Sequence, residues 1–349
     1  MCADAATRVP GVLRASGSLA VVVRRVSHAT AATGQPRTAR AWRRRAACHL
    51  PSLVPGINEP RMKRQNLIIA RAGRNSLHPT WLSASTERNW DLLLCPYQTL
   101  EPLHHNAGFT VGDVLPGPKW TGLRHLLNRW QGWREYRYIW LPDDDLFATQ
   151  DTINRFFTVA EALSLDLCAP ALHESSYYAH FDTMRNQRCF ARRCGFVEIM
   201  APCFSVRALA ELLPTFELSP TGWGWGLDSL WPKLLGYRNI GVIDATPVLH
   251  TRPVGAFRDA ALSARVRAES DHIMATYGCG QVHTTHAALD ADLDPLTEQP
   301  EALTALLADG WRYLFERNPG ALPWLVQAQR PASGWPDYPI AGTPACARP

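Results

Sequence analysis

Short, nearly uninterrupted apolar runs alternate along this chain with stretches whose apolar residues recur every three or four positions, the pattern of buried strands interleaved with amphipathic helices. Asn66-Leu67-Ile68-Ile69-Ala70 and Asp91-Leu92-Leu93-Leu94-Cys95 read as the first two strands. Pro116-Gly117-Pro118 then breaks the chain, and Lys119 opens a helix with Leu123, Leu126, Leu127 and Trp130 on one face. Gly132 is expected to end it. Tyr138-Ile139-Trp140-Leu141 is the next strand, and a second helix carries Ile153, Phe156, Phe157, Ala160 and Leu163, with Thr149 or Asp151 as its cap.

The later half continues the alternation. Strands are expected at Leu165–Pro170 and Phe196–Pro202, separated by a polar excursion through Tyr177, Tyr178, His180, Arg185 and Arg188. An insertion of that length in a compact domain is usually functional or disordered. Ser205 is placed to cap a helix from Val206 to Leu213, Asn239–Asp244 reads as a last strand leading to Val248–Pro253, and Phe257–Tyr277 reads as a long surface helix ended by Gly278. Leu303, Leu306, Leu307, Trp311 and Leu314 suggest one further helix before a Pro-rich end. This order predicts an α/β fold, a doubly wound mixed sheet flanked by helices, as a single catalytic domain over residues 62–280 with a helical appendage at 281–349.

Charge changes the picture at one end. The net charge of +5 over 349 residues conceals a segment, residues 1–61, with ten Arg against Asp4 and Glu59, which leaves the remaining chain mildly acidic. Its Ala, Arg, Pro, Ser and Thr show no sustained period, and three readings stay open: a start assigned too early, ahead of Met62; a disordered native tail; and a targeting segment. N-terminal sequencing of the native protein separates them. The segment lacks the interleaved aromatics of a single-strand binder, so no nucleic-acid partner is expected.

Hydrophobic residues make up 46% of the chain, ample for a core. No apolar run approaches the roughly 18 residues of a membrane helix. Nine scattered Cys without a Cys-x-x-Cys pair read mostly as buried free thiols in a reducing compartment, so a cytoplasmic location is expected; a Cys189–Cys194 bridge or clip is the exception to watch. Thirteen Trp are many, and aromatic faces serve cores and sugar platforms alike.

Four constellations carry candidate chemistry. Asp143-Asp144-Asp145 follow a strand directly, at the ligand edge of an open α/β sheet, where three adjacent carboxylates call for a hard divalent cation, Mn²⁺ or Mg²⁺. The plainer reading is a turn and a helix cap. Thr221-Gly222-Trp223-Gly224-Trp225-Gly226-Leu227-Asp228 cannot be a helix interior, so it is expected to be a tight loop with two indoles standing out. Asp228 is then a base toward an acceptor hydroxyl or the cap of a helix beginning near Leu230. His250 after its strand is a third metal ligand or a hydrogen-bonded structural residue. Arg71, Arg74 and Lys119 are positive groups for a diphosphate, although Lys119 also fits a solvated helix start, and Glu198 reads equally as a buried partner for an Arg and as a catalytic acid. A nucleotide-sugar transferase needs this combination, with a nucleotide-sugar donor and a glycan or other hydroxyl acceptor.

The order of strand-Asp-Asp-Asp, Gly195-Phe196-Val197-Glu198-Ile199-Met200-Ala201-Pro202, Trp225-Gly226-Leu227-Asp228 and Asn239-Ile240-Gly241-Val242-Ile243-Asp244 ahead of His250 resembles the domain-of-unknown-function family 707. The same landmarks are similar to those of GT-A-type glycosyltransferases. That resemblance implies a GT-A-like fold and an Asp-x-Asp motif at Asp143 and Asp145. It puts Asp145 and His250 on the metal, with Asp143 facing the ribose or a metal-bound water. Asp143 is also expected among the metal ligands, and Asp143 and Asp144 among the donor-binding residues. It makes Asp228 the base, and Trp223 and Trp225 the acceptor-side loop seen in β-1,4-galactosyltransferase relatives. Those relatives carry an acid directly before that Asp, where this chain has Leu227. Two rival classes are a non-catalytic carbohydrate-binding or scaffold protein on the same fold and a metal-dependent phosphate-ester hydrolase.

Overall fold

The computed structural model describes residues 64–82, 86–100, 109–255, 258–297 and 299–329. The expectations for residues 1–61, for a start at Met62 and for the Pro-rich end lie outside the described residues.

The first half builds β1 (Asn66–Ala72), α1 (His78–Trp81), β2 (Trp90–Pro96), β3 (Thr110–Val111), α2 (Lys119–Arg129), β4 (Tyr138–Trp140), β5 (Leu146–Phe147) and α3 (Gln150–Ala162). The second builds β6 (Leu167–Leu172), β7 (Ala191–Cys194), β8 (Cys203–Ser205), α4 (Val206–Leu212), α5 (Leu227–Leu234), β9 (Ile240–His250) and α6 (Ala260–Tyr277). Beyond them come β10 (Thr285–Leu289), β11 (Pro295–Thr297), α7 (Pro300–Gly310), α8 (Arg312–Arg317) and α9 (Ala321–Ala328).

Ten strands run in the order β11-β10-β7-β9-β6-β8-β4-β1-β2-β3, with β5 set off that path against β9. β1 lies parallel to β2 and β4, and β6 parallel to β9, whereas β8 runs antiparallel to both β4 and β6. The sheet is therefore mixed, and the fold is of the expected α/β class. Both faces are covered. Along β1, Leu67 and Ile69 face one hydrophobic core with Leu123 and Leu127 of α2, while Ile68 and Ala70 face a second with Phe156 and Phe157 of α3. Two-sided burial explains why these strands are continuous apolar runs rather than alternating ones. Thr149 caps α3 by accepting from the Thr152 amide, and Ser205 caps α4 by accepting from Ala208. Among the described residues no helix is long and apolar enough to cross a membrane.

Several local expectations are corrected. Helix α2 stops at Arg129, ahead of Gly132, because Trp130 takes an extended backbone and a 3-10 turn follows over Gln131–Glu135. Phe196–Pro202 is a loop and turn rather than a strand. Its carbonyls are used by other partners: Leu141 N donates to Pro202 O at 2.9 Å and Asp143 N to Met200 O at 2.9 Å. Helix α5 begins at Leu227, and α6 at Ala260 with Asp259 as its cap.

No break in packing marks residue 280. β10 pairs with β7 and β11 with β10 in the same sheet, and Leu303, Leu307, Trp311 and Leu314 belong to the core that holds α3. A buried ion pair secures this end. Arg192 of β7 grips Asp244 of β9 through two bonds, Nε to Oδ2 at 2.9 Å and Nη2 to Oδ1 at 3.1 Å, with both side chains fully buried. The guanidinium also donates to Asp182 O at 2.9 Å and lies 4.7 Å from the centroid of the Trp311 ring. Removing one member of such a pair strands the other charge in a dry interior. Asp244→Ala is expected to lose about 3–5 kcal/mol of stability by urea denaturation, whereas replacing both members with apolar residues of similar volume is expected to restore most of it.

Candidate active site

One short ladder decides where the acids go. After β4 the chain turns through Asp143, Asp144 and Asp145 and enters β5, which pairs antiparallel with the end of β9, Leu146 opposite His250 and Phe147 opposite Leu249. Thr251 donates to Asp145 O through both its amide, at 3.2 Å, and its hydroxyl, at 2.8 Å. Residues 145 and 250, over a hundred positions apart, are thereby neighbours: Asp145 Oδ2 lies 3.4 Å from His250 Nε2. His250 Nδ1 sits 2.7 Å from Tyr177 O. A carbonyl only accepts, so Nδ1 carries the proton and Nε2 is the atom turned to Asp145.

Burial alone would push the Asp145 carboxyl up, but the hydrogen bond and charge of His250, with Arg252, hold it below its ordinary value. For His250, burial works downward and is outweighed by Asp145, so the imidazole is raised. Asp145 Oδ1 is buried without a hydrogen-bond partner. An orphaned carboxylate oxygen beside an imidazole nitrogen whose partner nitrogen is fixed by a carbonyl is a donor set that fits a divalent cation. Among the described residues no group of three His, Cys, Asp or Glu stands ready to hold a metal by itself. Asp143 does not complete one as it stands, because its Oδ1 is 2.7 Å from Lys119 Nζ.

The expected positive groups are mostly committed elsewhere. Lys119 Nζ also donates to Ile199 O and Met200 O, each at 2.8 Å, so its three protons have three acceptors and it ties the start of α2 to the loop at 199–200. Arg71 is buried, and its guanidinium donates to the carbonyls of Cys95, Pro96, Leu115 and Gly117 at 2.6 to 3.3 Å. It clasps the β2 end to the loop ahead of α2. The crossing is so close that a Cβ on Gly122 would fall 2.4 Å from its Cζ. Arg71 thus meets backbone carbonyls here, and its donor-phosphate role stays an expectation. Arg74 is exposed in the turn after β1.

Asp144 likewise turns inward. Its Oδ2 accepts from Gly73 N at 2.7 Å and from the Tyr97 hydroxyl at 3.3 Å, its Oδ1 lies 3.4 Å from Arg252 Nη1, and burial pushes it up to about 6. These contacts fix the β1 turn, and the donor contact of Asp144 stays an expectation. Arg252, two residues beyond His250, is the cation that stands beside the acidic turn in place of Arg71.

The Gly/Trp loop is tight, as its composition predicted. Gly222, Gly224 and Gly226 have φ of 73°, 79° and 89°, conformations that side chains resist. Glu269 of α6 holds the loop by accepting from Ser219 Oγ at 2.6 Å and from the Thr221 amide at 2.8 Å. Trp223 and Trp225 are half-buried. Because Gly226 caps α5, Asp228 falls in the first helical turn rather than at a cap. It is buried, its Oδ1 has no partner, and burial pushes it up to about 7 against the pull of His283 and of the backbone amides around it.

Glu198 and the residues near it supply what sequence reasoning placed least well. Burial, foremost, pushes Glu198 up to about 8; His250 lowers it, and Asp228, Asp182 and Asp143 raise it. It thus feels both the acidic turn and the Asp228 loop. Asp182 Oδ2 pairs with His283 Nδ1 at 2.9 Å, and the His283 ring stacks on His180 at 5.1 Å. Asp182 lies within the polar excursion between β6 and β7, which its length had flagged. His283 follows residue 280 and carries no sequence signal.

No family model matches the chain, and no curated protein does, so the resemblance to family 707 stays an expectation. Among solved structures the chain is similar to S. aureus TarS 1-349 at 11% identity, over 77% of this chain and 87% of that one, with a TM-score of 0.40. It is also similar to S. aureus TarS 1-349 in complex with UDP-GlcNAc, at 9% identity, over 76% and 79%, with a TM-score of 0.43. A third, TarS 1-349 in complex with UDP, has 12% identity over 77% and 87% and a TM-score of 0.37. These likenesses assign no residue a role.

A carboxyl raised on folding binds more protons in the folded than in the unfolded chain between its two pKa values, so stability falls as pH rises through that window. For Asp228 the window runs from its ordinary value of 3.8 to about 7. Asp228→Asn removes the penalty. The variant is expected to be the more stable by on the order of 2 kcal/mol at pH 8, with the difference vanishing at pH 4, as read by denaturant midpoints across pH.

Proposed function

We propose that this protein is a metal-dependent glycosyltransferase of GT-A-like fold that moves a sugar from a nucleotide-diphosphate donor to a hydroxyl acceptor. The observation that carries the reading is the Asp145–His250 pair with its unsatisfied buried oxygen, held by the β5–β9 ladder. Asp145 and His250 would hold Mn²⁺ or Mg²⁺, with donor phosphate oxygens completing the shell, as is usual for cations bound by few protein ligands. When bound, the cation neutralises charge gathering on the diphosphate leaving group.

The chain's own residues do the rest. Asp228, poised near neutrality and oriented by the rigid Gly/Trp loop, takes the proton from the acceptor hydroxyl as its oxygen attacks the anomeric carbon and the bond to the diphosphate breaks. Lys119 keeps Asp143 and the 199–200 loop at the mouth of the site. The rival reading, a carbohydrate-binding protein without catalysis, draws support from the commitment of Lys119 and Asp144 to structural partners.

The two separate in a thermal-shift experiment on the purified chain with UDP or GDP, with and without Mn²⁺. A ligand bound to the folded state alone raises the melting temperature. The expected result is a Mn²⁺-dependent rise that Asp145→Ala and His250→Ala abolish; absence of nucleoside diphosphate binding in a folded sample with Mn²⁺ overturns the reading. Asp228→Asn is expected to keep donor binding while transfer or donor hydrolysis falls by about 10²–10⁴-fold, measured as released nucleotide.

A further inference from the structure

Two cations rest on the Gly/Trp loop without a carboxylate in salt-bridge contact among the described residues. Arg258, just ahead of α6, has its guanidinium carbon 5.2 Å from the centroid of the Trp223 ring and 4.3 Å from that of Trp225. Arg267, farther along α6, lies 6.0 Å from the Trp225 centroid. Indole faces attract cations but leave their charge in place. Arg258 is half-buried, and its Nε has no hydrogen-bond partner. Burial, and then the like charge of Arg267, lower its pKa.

Two acids of the same segment are engaged elsewhere, and Asp271 forms no salt bridge with either arginine. Asp259 Oδ1 accepts from Leu262 N at 2.7 Å as the helix cap, and both oxygens of Glu269 hold Ser219 and Thr221. Among the described residues, neither Arg258 nor Arg267 forms a salt bridge with a carboxylate. Two guanidinium forks on an aromatic bed, short of a counter-ion, match a planar or tetrahedral anion that can be bound through two parallel hydrogen bonds.

Position says which ligand brings that anion. The loop under these cations ends in Asp228, and it docks on the start of α2, with Trp120 N donating to Gly222 O at 3.1 Å. A Cβ on Gly224 would fall 2.3 Å from the Trp120 ring, so the loop cannot shift without unpacking. The arginines therefore rest on the indoles of the loop that leads into the carboxylate proposed to receive the acceptor's proton, and the Asp145–His250 pair sits at the end of another strand. We infer that Arg258 and Arg267, braced on Trp223 and Trp225, bind a carboxylate or phosphate carried by the acceptor, so that the acceptor is an acidic saccharide rather than a neutral one. This deepens the transferase reading, on which the word acceptor rests.

Calorimetric titration of the full chain, with no donor present, tests it using a hyaluronan hexasaccharide for the carboxylate, a phosphorylated mannose oligosaccharide for the phosphate, and neutral chitohexaose. At least one acidic probe is expected to bind tenfold or more tightly than chitohexaose, with affinity that falls as salt rises. Replacing both arginines by Gln is expected to weaken that probe by about 10- to 100-fold, the range for charge-assisted hydrogen bonds, and to flatten its salt dependence. Arg267→Gln alone, at an exposed position, is expected to give a smaller loss in the same direction without bearing on folding. UDP binding with Mn²⁺ is measured in parallel on each variant. Equal affinity for acidic and neutral probes, no loss in the double variant, or loss of UDP binding in its place overturns the inference, the last by assigning the cations to the donor. Arginine-dependent binding of an acidic probe by a chain that binds no nucleoside diphosphate upholds the anion site while the transferase reading fails.

Discussion

The backbone pairing of Leu146 with His250 is the constraint on which the site depends. Two residues of β5 suffice, because Thr251 adds its amide and hydroxyl to the carbonyl of Asp145 and so extends the grip past the ladder. Without it, Asp145 and His250 would be two buried polar groups on unrelated strand ends, each with its own desolvation cost. With it, each relieves the other and one carboxylate oxygen is left over. That leftover Asp145 oxygen is the feature on which the proposed cation site rests.

Around that pair, positive charge is used in two ways. Arg71 and Lys119 act as internal clasps, their protons shared among backbone carbonyls and Asp143 that fold the loops at the edge of the sheet. Arg252 bridges Asp144 and the carbonyl of Asn75, and Arg192 neutralises Asp244 far inside. Each of these is paired. Arg258 and Arg267 differ in lying against indoles without a salt bridge to a carboxylate among the described residues, which is why the anion-binding proposal falls on them.

The acids divide in a parallel way. Burial raises all four of Asp144, Asp244, Asp228 and Glu198, but Asp144 and Asp244 accept hydrogen bonds from distant segments and so tie the frame together, whereas Asp228 and Glu198 are pushed up to about 7 and about 8. Carboxyls held near neutrality by their surroundings are poised for proton transfer at ordinary pH. The buried pair of Asp182 and His283 comes from two segments that look unrelated in the chain, and there, against burial, the imidazole holds the carboxyl below its ordinary value.

What the sequence by itself determined is the alternation of strands and helices, the α/β class, the rigid Gly/Trp loop and the identity of Asp143–Asp145, Asp228 and His250 as the residues to watch. Hydrophobic period and glycine spacing are local properties, and they survive any tertiary arrangement. Tertiary structure alone decided which cations are already spent, that Phe196–Pro202 is a loop, that β10 and β11 complete the sheet, and that His283 faces Asp182. Hydrogen-bond satisfaction is the physical reason: whether Arg71 meets a phosphate or four carbonyls depends on backbone brought in from residues 95, 96, 115 and 117, and no window of sequence around an arginine contains that information.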